Sequence, residues 1–342
     1  MGRRAILAAF ALLAAAAPLA AQQPPAAAQK FAELGECRLD GGGAIRDCRV
    51  GYRTLGTLNA DRSNAVLVPT WYSGNSAGLL AFVGPGKPLD PSRWFIVLVD
   101  ALADGVSSSP SNSRAQPGDS FPAITIRDMV RTQYRLATEV LKLPRLHAVV
   151  GLSMGGMQAF QWMVTYPDYV ERVVPVVGSP RLTSFDLELW RTGVETLDAY
   201  RRCGGCDAAR RAFWLVNDLL LTTPEYRVAR TPRDSFAAYV ERATQPHRVF
   251  AADDLSAQAR AMMALDVSRD FGGSMERAAA AVRARVLVVV SARDHTVRPE
   301  PARAFAALLG APVVELEGEC GHIATSCEMP KLAAAVAAFL ER

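Results

Sequence analysis

The run Val149-Val150-Gly151-Leu152-Ser153-Met154-Gly155-Gly156-Met157-Gln158 constrains this chain more than any other stretch. It starts as an apolar strand and turns sharply at Gly151-Leu152-Ser153-Met154-Gly155. It then continues into Ala159-Phe160-Gln161-Trp162-Met163, which reads as a helix. Where a strand turns into a helix within so few residues, the two chain directions pass close together. The positions two before and two after the serine must therefore carry no bulk, and Gly151 and Gly155 meet that demand. Such a turn exposes the Ser153 hydroxyl and aims the first N–H groups of the helix toward it, as a nucleophile requires. The competing reading is a glycine-rich turn with a bystander serine. The apolar strand before the turn and the helix after it weigh against that reading.

The flanking sequence supplies the sheet. Residues 37–55 alternate apolar and polar and predict an antiparallel hairpin that turns at Gly41-Gly42-Gly43. Residues 64–70 and 94–100 are short strands, the second apolar throughout, as befits a strand covered on both faces. Thr125 is placed to cap a helix ending near Lys142, and strands follow at 146–150 and 170–178. From 180 to about 280 the strand signal gives way to charged, helical sequence. The sheet resumes at 285–291, followed by a helix at 300–309, a strand at 312–316 and a last helix at 329–340. Together with the Gly-x-Ser-x-Gly turn, this alternation predicts the α/β-hydrolase fold: a mostly parallel central sheet flanked by helices, with a helical cap insertion. The expected organisation is a signal peptide at 1–21, a disordered leader at 22–30, core at 31–180, cap at 181–280 and core again at 281–342.

The signal peptide rests on Arg3 and Arg4, an apolar run over 5–17, and small residues before Gln22. The run is too short and alanine-rich for a membrane span, so no stable membrane anchor is expected after cleavage. Removing Arg3 and Arg4 reduces the 38 basic residues to 36 against 34 acidic ones. The net charge of +2 that remains is too small to argue for a basic surface that attracts nucleic acid or an anionic membrane. The six cysteines form local pairs, Cys37 with Cys48, Cys203 with Cys206 and Cys320 with Cys327. In an exported chain these read as disulfides, and the location expected is periplasmic or secreted. Zinc or redox chemistry at Cys203-Gly204-Gly205-Cys206 is the alternative. No second such pair accompanies it, and it opens no helix in a thioredoxin-like unit. No metal and no cofactor is expected.

A serine hydroxyl needs a base to attack a carbonyl, and the base needs an orienting carboxylate. In this fold the chain order is serine, acid, histidine. Of the four histidines, His322 stands in a loop after the last strand, where the base belongs, and Asp294 follows the strand ending at Ser291. Ser153, Asp294 and His322 are therefore the expected triad. His147 lies at the wrong end of its strand, His247 falls in the cap, and His295 is expected to point away from its neighbour Asp294. The oxyanion donors expected are the backbone N–H groups of Met154 and of Tyr72, with Trp71 the alternative to Tyr72 and a candidate pocket wall. The Cys320–Cys327 bond would flank His322 and hold its loop.

Three strings resemble the homoserine O-acetyltransferase family: residues 52–68, the run Phe121-Pro-Ala-Ile-Thr-Ile-Arg-Asp-Met-Val-Arg-Thr-Gln133, and residues 151–158. Asp294 and Gly321-His322 also fit, and the resemblance covers most of the core while weakening in the cap. It implies the same fold and a ping-pong acyl-enzyme route through Ser153, with acetyl-CoA as donor and homoserine as acceptor. It also brings Arg191 roughly into the register of the family's substrate-carboxylate arginine. A solvated helix-face arginine is the other reading. The family usually carries an acidic residue after the catalytic histidine, where this chain has Ile323, and an isoleucine cannot pair with an ammonium. The function expected is therefore an exported serine hydrolase acting on a short-acyl ester, with O-acyl transfer by the same triad as the alternative. Its partners would be a small-molecule ester, or an acyl donor and acceptor, and the sequence leaves room for a homodimer.

Overall fold

The computed structural model describes residues 27–245 and 251–342. The signal peptide at 1–21, the first part of the leader and His247 lie outside the described residues. The strands are β1 (Lys30–Arg38), β2 (Ala44–Leu55), β3 (Ala65–Pro69), β4 (Phe95–Val99), β5 (Leu146–Leu152), β6 (Val170–Val176), β7 (Arg285–Val286), β8 (Val288–Ser291) and β9 (Val313–Leu316). They form one sheet in the order β1-β2-β4-β3-β5-β6-β8-β9, with β7 beside β6. β1 and β2 are antiparallel and β2 meets β4 antiparallel. The remaining pairings are parallel.

Between β3 and β4 lies the short helix α1 (Ser76–Leu79), and between β4 and β5 lies α2 (Ile126–Arg135). Thr125 caps α2 through a reciprocal box with Asp128, which satisfies N–H groups the helix start would otherwise leave unpaired. Helix α3 (Met154–Thr165) follows β5 after one residue. Between β6 and β7 the described residues form six α-helices: α4 (Ser184–Arg202), α5 (Asp207–Leu221), α6 (Pro224–Arg230), α7 (Phe236–Thr244), α8 (Ala252–Met263) and α9 (Met275–Ala280). After β8 come α10 (Glu300–Leu309), α11 (Ala324–Cys327) and α12 (Met329–Glu341).

Side chains alternate across a strand, and here the alternation divides two cores. Val149 and Val173 face the core containing α2, α3 and α10. Ala148, Val150 and Val174 face the opposite core, with Leu79, Leu332 and Val336. Continuous apolar strands are what a parallel sheet covered on both faces demands. Helix α3 is buried from Met154 through Val164, so it runs inside the fold rather than over its surface.

One boundary departs from the expectation, and one helix ends in an unexpected form. β1 begins at Lys30, inside the expected leader, and Gln29 Nε2 donates to the buried Asp100 carboxylate at 2.8 Å. That carboxylate needs donors once it is out of water, and Gln29 is one of them. The helix from Thr125 ends its α-helical turns at Arg135 and finishes as a π-helical turn over Leu136–Val140.

The turn at Ser153 is the tightest point of the sheet. Ser153 has φ 56° and ψ −120°, a conformation rare for a residue with a side chain. A Cβ added at Gly151 would lie 2.0 Å from the Gly155 carbonyl oxygen. Gly151→Ala is accordingly expected to cost at least about 3 kcal/mol, the upper end for overpacking. Gly41→Ala, which meets nothing within 4 Å, should stay within about 0.5 kcal/mol. Urea unfolding of the two variants checks this pair.

Candidate active site

Ser153 joins β5 to α3 at the carboxyl end of the parallel strands, where open α/β sheets place their ligands. His322 sits in a single 3-10 turn, Gly321–Ile323, between β9 and α11. Asp294 lies just past β8 and is 1% exposed. The fold brings the three together. Ser153 Oγ lies 2.8 Å from His322 Nε2, and His322 Nδ1 lies 2.6 Å from Asp294 Oδ2. A carboxylate accepts only, so Nδ1 carries the proton and Nε2 is left to accept from the serine hydroxyl.

Each member is held by neighbours of its own. Asp294 Oδ1 accepts the N–H groups of Thr296 at 2.8 Å and Val297 at 3.0 Å, which fixes the carboxylate plane. Ser291 Oγ donates to the Gly321 carbonyl at 2.8 Å and ties the aspartate strand to the histidine turn. The inserted helices add further holds. Thr223 Oγ1 donates to the Glu319 carbonyl at 2.5 Å, and Thr296 Oγ1 to the Leu220 carbonyl at 2.8 Å.

Asp186 is a part of this frame that the sequence reading missed. It is fully buried, closes a capping box with Thr183 at the start of α4, and accepts the Arg298 N–H at 3.0 Å beyond the Asp294 turn. Burial raises its carboxyl above the ordinary aspartate range, against the lowering effect of those donors. The signal available in the sequence was Thr183-x-x-Asp186 ahead of a helical run.

Met154 is the first residue of α3, and its N–H has no partner within the helix. Tyr72 lies past the end of β3. Among the described residues, neither backbone N–H donates to another protein group. The Tyr72 ring is buried edge-on against Trp190 of α4, with centroids 4.9 Å apart. Burial pushes its phenol far above the ordinary tyrosine value. Trp71 packs against Gly74 and lies edge-on to Phe82, 6.0 Å between centroids. Arg191 is 62% exposed and pairs with Glu195 one turn away. It borders a recess of about 270 Å³ with Val194, Arg260, Met263 and Ala264, and neither Ser153 nor His322 lines that recess.

The other described histidines lie elsewhere. His147 stacks on Trp94 at 4.2 Å and its Nε2 contacts the Leu340 carbonyl at 2.9 Å, at the amino end of β5. His295 is half-buried beside Asp294 and is not the imidazole that meets Ser153. The cysteines are bonded as Cys37–Cys48, Cys203–Cys206 and Cys320–Cys327. Among the described residues, no group of three or more His, Cys, Asp or Glu is placed to hold a metal ion.

The sheet order, the serine at the β5–α3 turn and the imidazole facing it define an α/β hydrolase. The α/β hydrolase fold family matches residues 71–202. The chain is 33% identical over 283 residues to an ethyl acetate hydrolase of Pseudomonas veronii, across 77% of this chain and 79% of that one. It is 30% identical over 360 residues to a homoserine O-acetyltransferase of Caulobacter vibrioides, across 89% and 91%. A probable esterase of Corynebacterium glutamicum is 40% identical over 171 residues, a match spanning about half of each chain (49%). The structure of an acetylester hydrolase from that organism superposes with a TM-score of 0.85 at 29% identity, over 92% of this chain and 96% of that one. This chain belongs to the homoserine O-acetyltransferase family of the α/β-hydrolase superfamily, and it is an enzyme of the hydrolase and acyltransferase kind.

The Cys320–Cys327 bond closes the loop that holds His322, seven residues apart in sequence. By the chain-entropy relation such a bond stabilises by about 2.5 kcal/mol. The double variant Cys320→Ala/Cys327→Ala is expected to lose about that much stability in urea and, with the loop freed, to lower kcat. Unchanged kcat together with unchanged stability would show that the bond neither holds nor stabilises the loop.

Proposed function

We propose that this enzyme is an exported serine hydrolase that cleaves a small, short-acyl ester through an acyl-Ser153 intermediate. The observation that carries the reading is the hydrogen-bonded line from Asp294 through His322 to Ser153. Ser153 Oγ attacks the ester carbonyl carbon while His322 Nε2 takes the hydroxyl proton, and Asp294 steadies the imidazolium that results. The oxyanion meets the N–H groups of Met154 and Tyr72, each such donor being worth about 2.7–4 kcal/mol of transition-state stabilisation. Collapse of the tetrahedral intermediate expels the alcohol, which leaves with the proton from His322. Water then attacks the acyl carbon, gives a proton to His322, and releases the carboxylic acid and the Ser153 hydroxyl.

Three features favour water over an amino-acid alcohol as acceptor. Ile323 follows the base and offers nothing to an ammonium group. Two of the similar proteins are described as an ethyl acetate hydrolase and an acetylester hydrolase. An N-terminus of signal-peptide type would send the enzyme out of the compartment that holds acyl-CoA. O-acetyl transfer is the second reading, supported by the likeness to homoserine O-acetyltransferases.

Both readings share the first half-reaction, so they differ in the partition of the acyl-enzyme. With a short acyl ester as donor and homoserine added at rising concentration, the free acid is expected to remain the dominant product. Dominant O-acylhomoserine, formed faster still from acetyl-CoA, would establish the transferase. Ser153→Ala or His322→Ala is expected to lower kcat by about 10⁴–10⁶ in either case.

A further inference from the structure

The loop that leads from β3 to Tyr72 is held on both sides by buried glutamines that touch no reacting atom. On the α3 side the hydrogen bonds form a relay. Trp162 Nε1 donates to Gln133 Oε1 at 2.8 Å, and Gln133 Nε2 donates to Gln158 Oε1 at 2.6 Å. Gln158 Nε2 then donates to the carbonyls of Thr70 at 3.0 Å and Met154 at 3.2 Å. An indole N–H can only donate, so Trp162 sets the direction of every bond in the relay. Trp162, Gln133 and Gln158 are all buried, and an amide so placed keeps its partners.

On the other side, Gln258 reaches in from α8. Its Oε1 accepts the Ser73 N–H at 3.0 Å and its Nε2 donates to the Leu102 carbonyl at 3.3 Å. Gln258 is fully buried, and Ser73 has φ 59°, in the left-handed region that a side-chain-bearing residue rarely adopts unaided. The loop also runs so close to α3 that a Cβ at Gly155 would lie 2.5 Å from the Pro69 carbonyl oxygen. The Thr70 carbonyl and the Ser73 N–H bracket the peptide that carries the Tyr72 N–H. With both ends fixed, that peptide has little freedom to rotate. A flipped peptide would present a carbonyl where an oxyanion donor is needed.

We propose that Gln158 and Gln258 are positioning residues for the oxyanion hole, and that Gln258 makes the hole depend on the seating of α8 in the helical insertion. The proposal rests on the reading above in which Met154 and Tyr72 receive the oxyanion. It also assigns a task to Gln133, the last residue of the string 121–133, which the reaction leaves unused.

Hydrolysis of para-nitrophenyl acetate by the full chain tests it, with Gln258→Met, Gln258→Glu and Gln158→Met compared with wild type. Gln258→Met is expected to lower kcat about 10- to 100-fold, with KM changed less than about threefold. The acid limb of the kcat/KM profile, which reports the base, stays in place. Inhibition by a methyl trifluoromethyl ketone weakens in parallel with kcat/KM, because both depend on the oxyanion. A protonated carboxyl reproduces both amide bonds. Gln258→Glu therefore approaches wild-type kcat at low pH and falls behind it as the carboxyl ionises, and it serves as the folded control. A Gln258→Met enzyme with kcat within threefold of wild type would overturn the proposal. So would a displaced acid limb, or a Gln258→Glu enzyme with the same deficit at every pH. A wild type inert toward the ester counts against the hydrolase reading instead. A crystal structure of Gln258→Met decides the positioning role in either event: the Trp71–Tyr72 peptide is displaced if the proposal holds, and unmoved if it fails.

Discussion

The turn from β5 into α3 can close only because glycines stand on both sides of Ser153, and much of the molecule follows from that contact. The Ser153 N–H donates to the Val176 carbonyl at 2.9 Å, so the strained residue is anchored to the neighbouring strand β6. Its φ of 56° is a cost that an isolated peptide would relax. Burial of α3 between the sheet and α2, on a helix with almost no exposed residue, over-determines the turn. The same geometry leaves the Met154 N–H without a helical partner beside the serine hydroxyl. Sheet packing thus sets up the local chemistry.

The imidazole and carboxylate reach the serine from 169 residues away and from a further loop 28 residues before His322. Two loops so far apart in the chain could not hold a 2.6 Å contact by themselves. They are held because a buried carboxylate must find donors. Asp294 takes three hydrogen bonds, and Asp186 repeats the arrangement one layer out, with its own capping box and the Arg298 N–H. Thr223 and Thr296 bind the histidine and aspartate turns to the end of α5 and the start of α6. The insertion between β6 and β7 therefore does more than cover the sheet, since its helices are part of the scaffold that sets the distances at Ser153.

The sequence made the sheet legible because its strands are short, apolar and bounded by turn residues. Val149 and Val150 point to opposite cores, as the alternation requires. The nearness of Ser153, Asp294 and His322 was legible through chain order and position at strand ends, since the chain has only four histidines. The relay through Gln133, Gln158 and Trp162 was not legible. A glutamine in a helix reads as a solvated side chain, and only the crossing of α2 and α3 brings two of them into one buried line. Gln258 was hidden for the same reason, 185 residues from the Ser73 N–H that it accepts. Asp186 carried a local signal, but its second task depends on a turn more than a hundred residues later. Pairwise contacts between polar side chains on separate helices leave no periodic trace, whereas apolar faces do.

In the proposed reaction Ser153 carries the acyl group between the two halves of turnover. Acid quenching during turnover of a short acyl ester, followed by peptide mass spectrometry, tests it most directly. One acyl group is expected on the peptide containing Ser153, formed within the first turnover and absent from Ser153→Ala. Full turnover with no acyl group on that peptide, or with the label on another side chain, would contradict it.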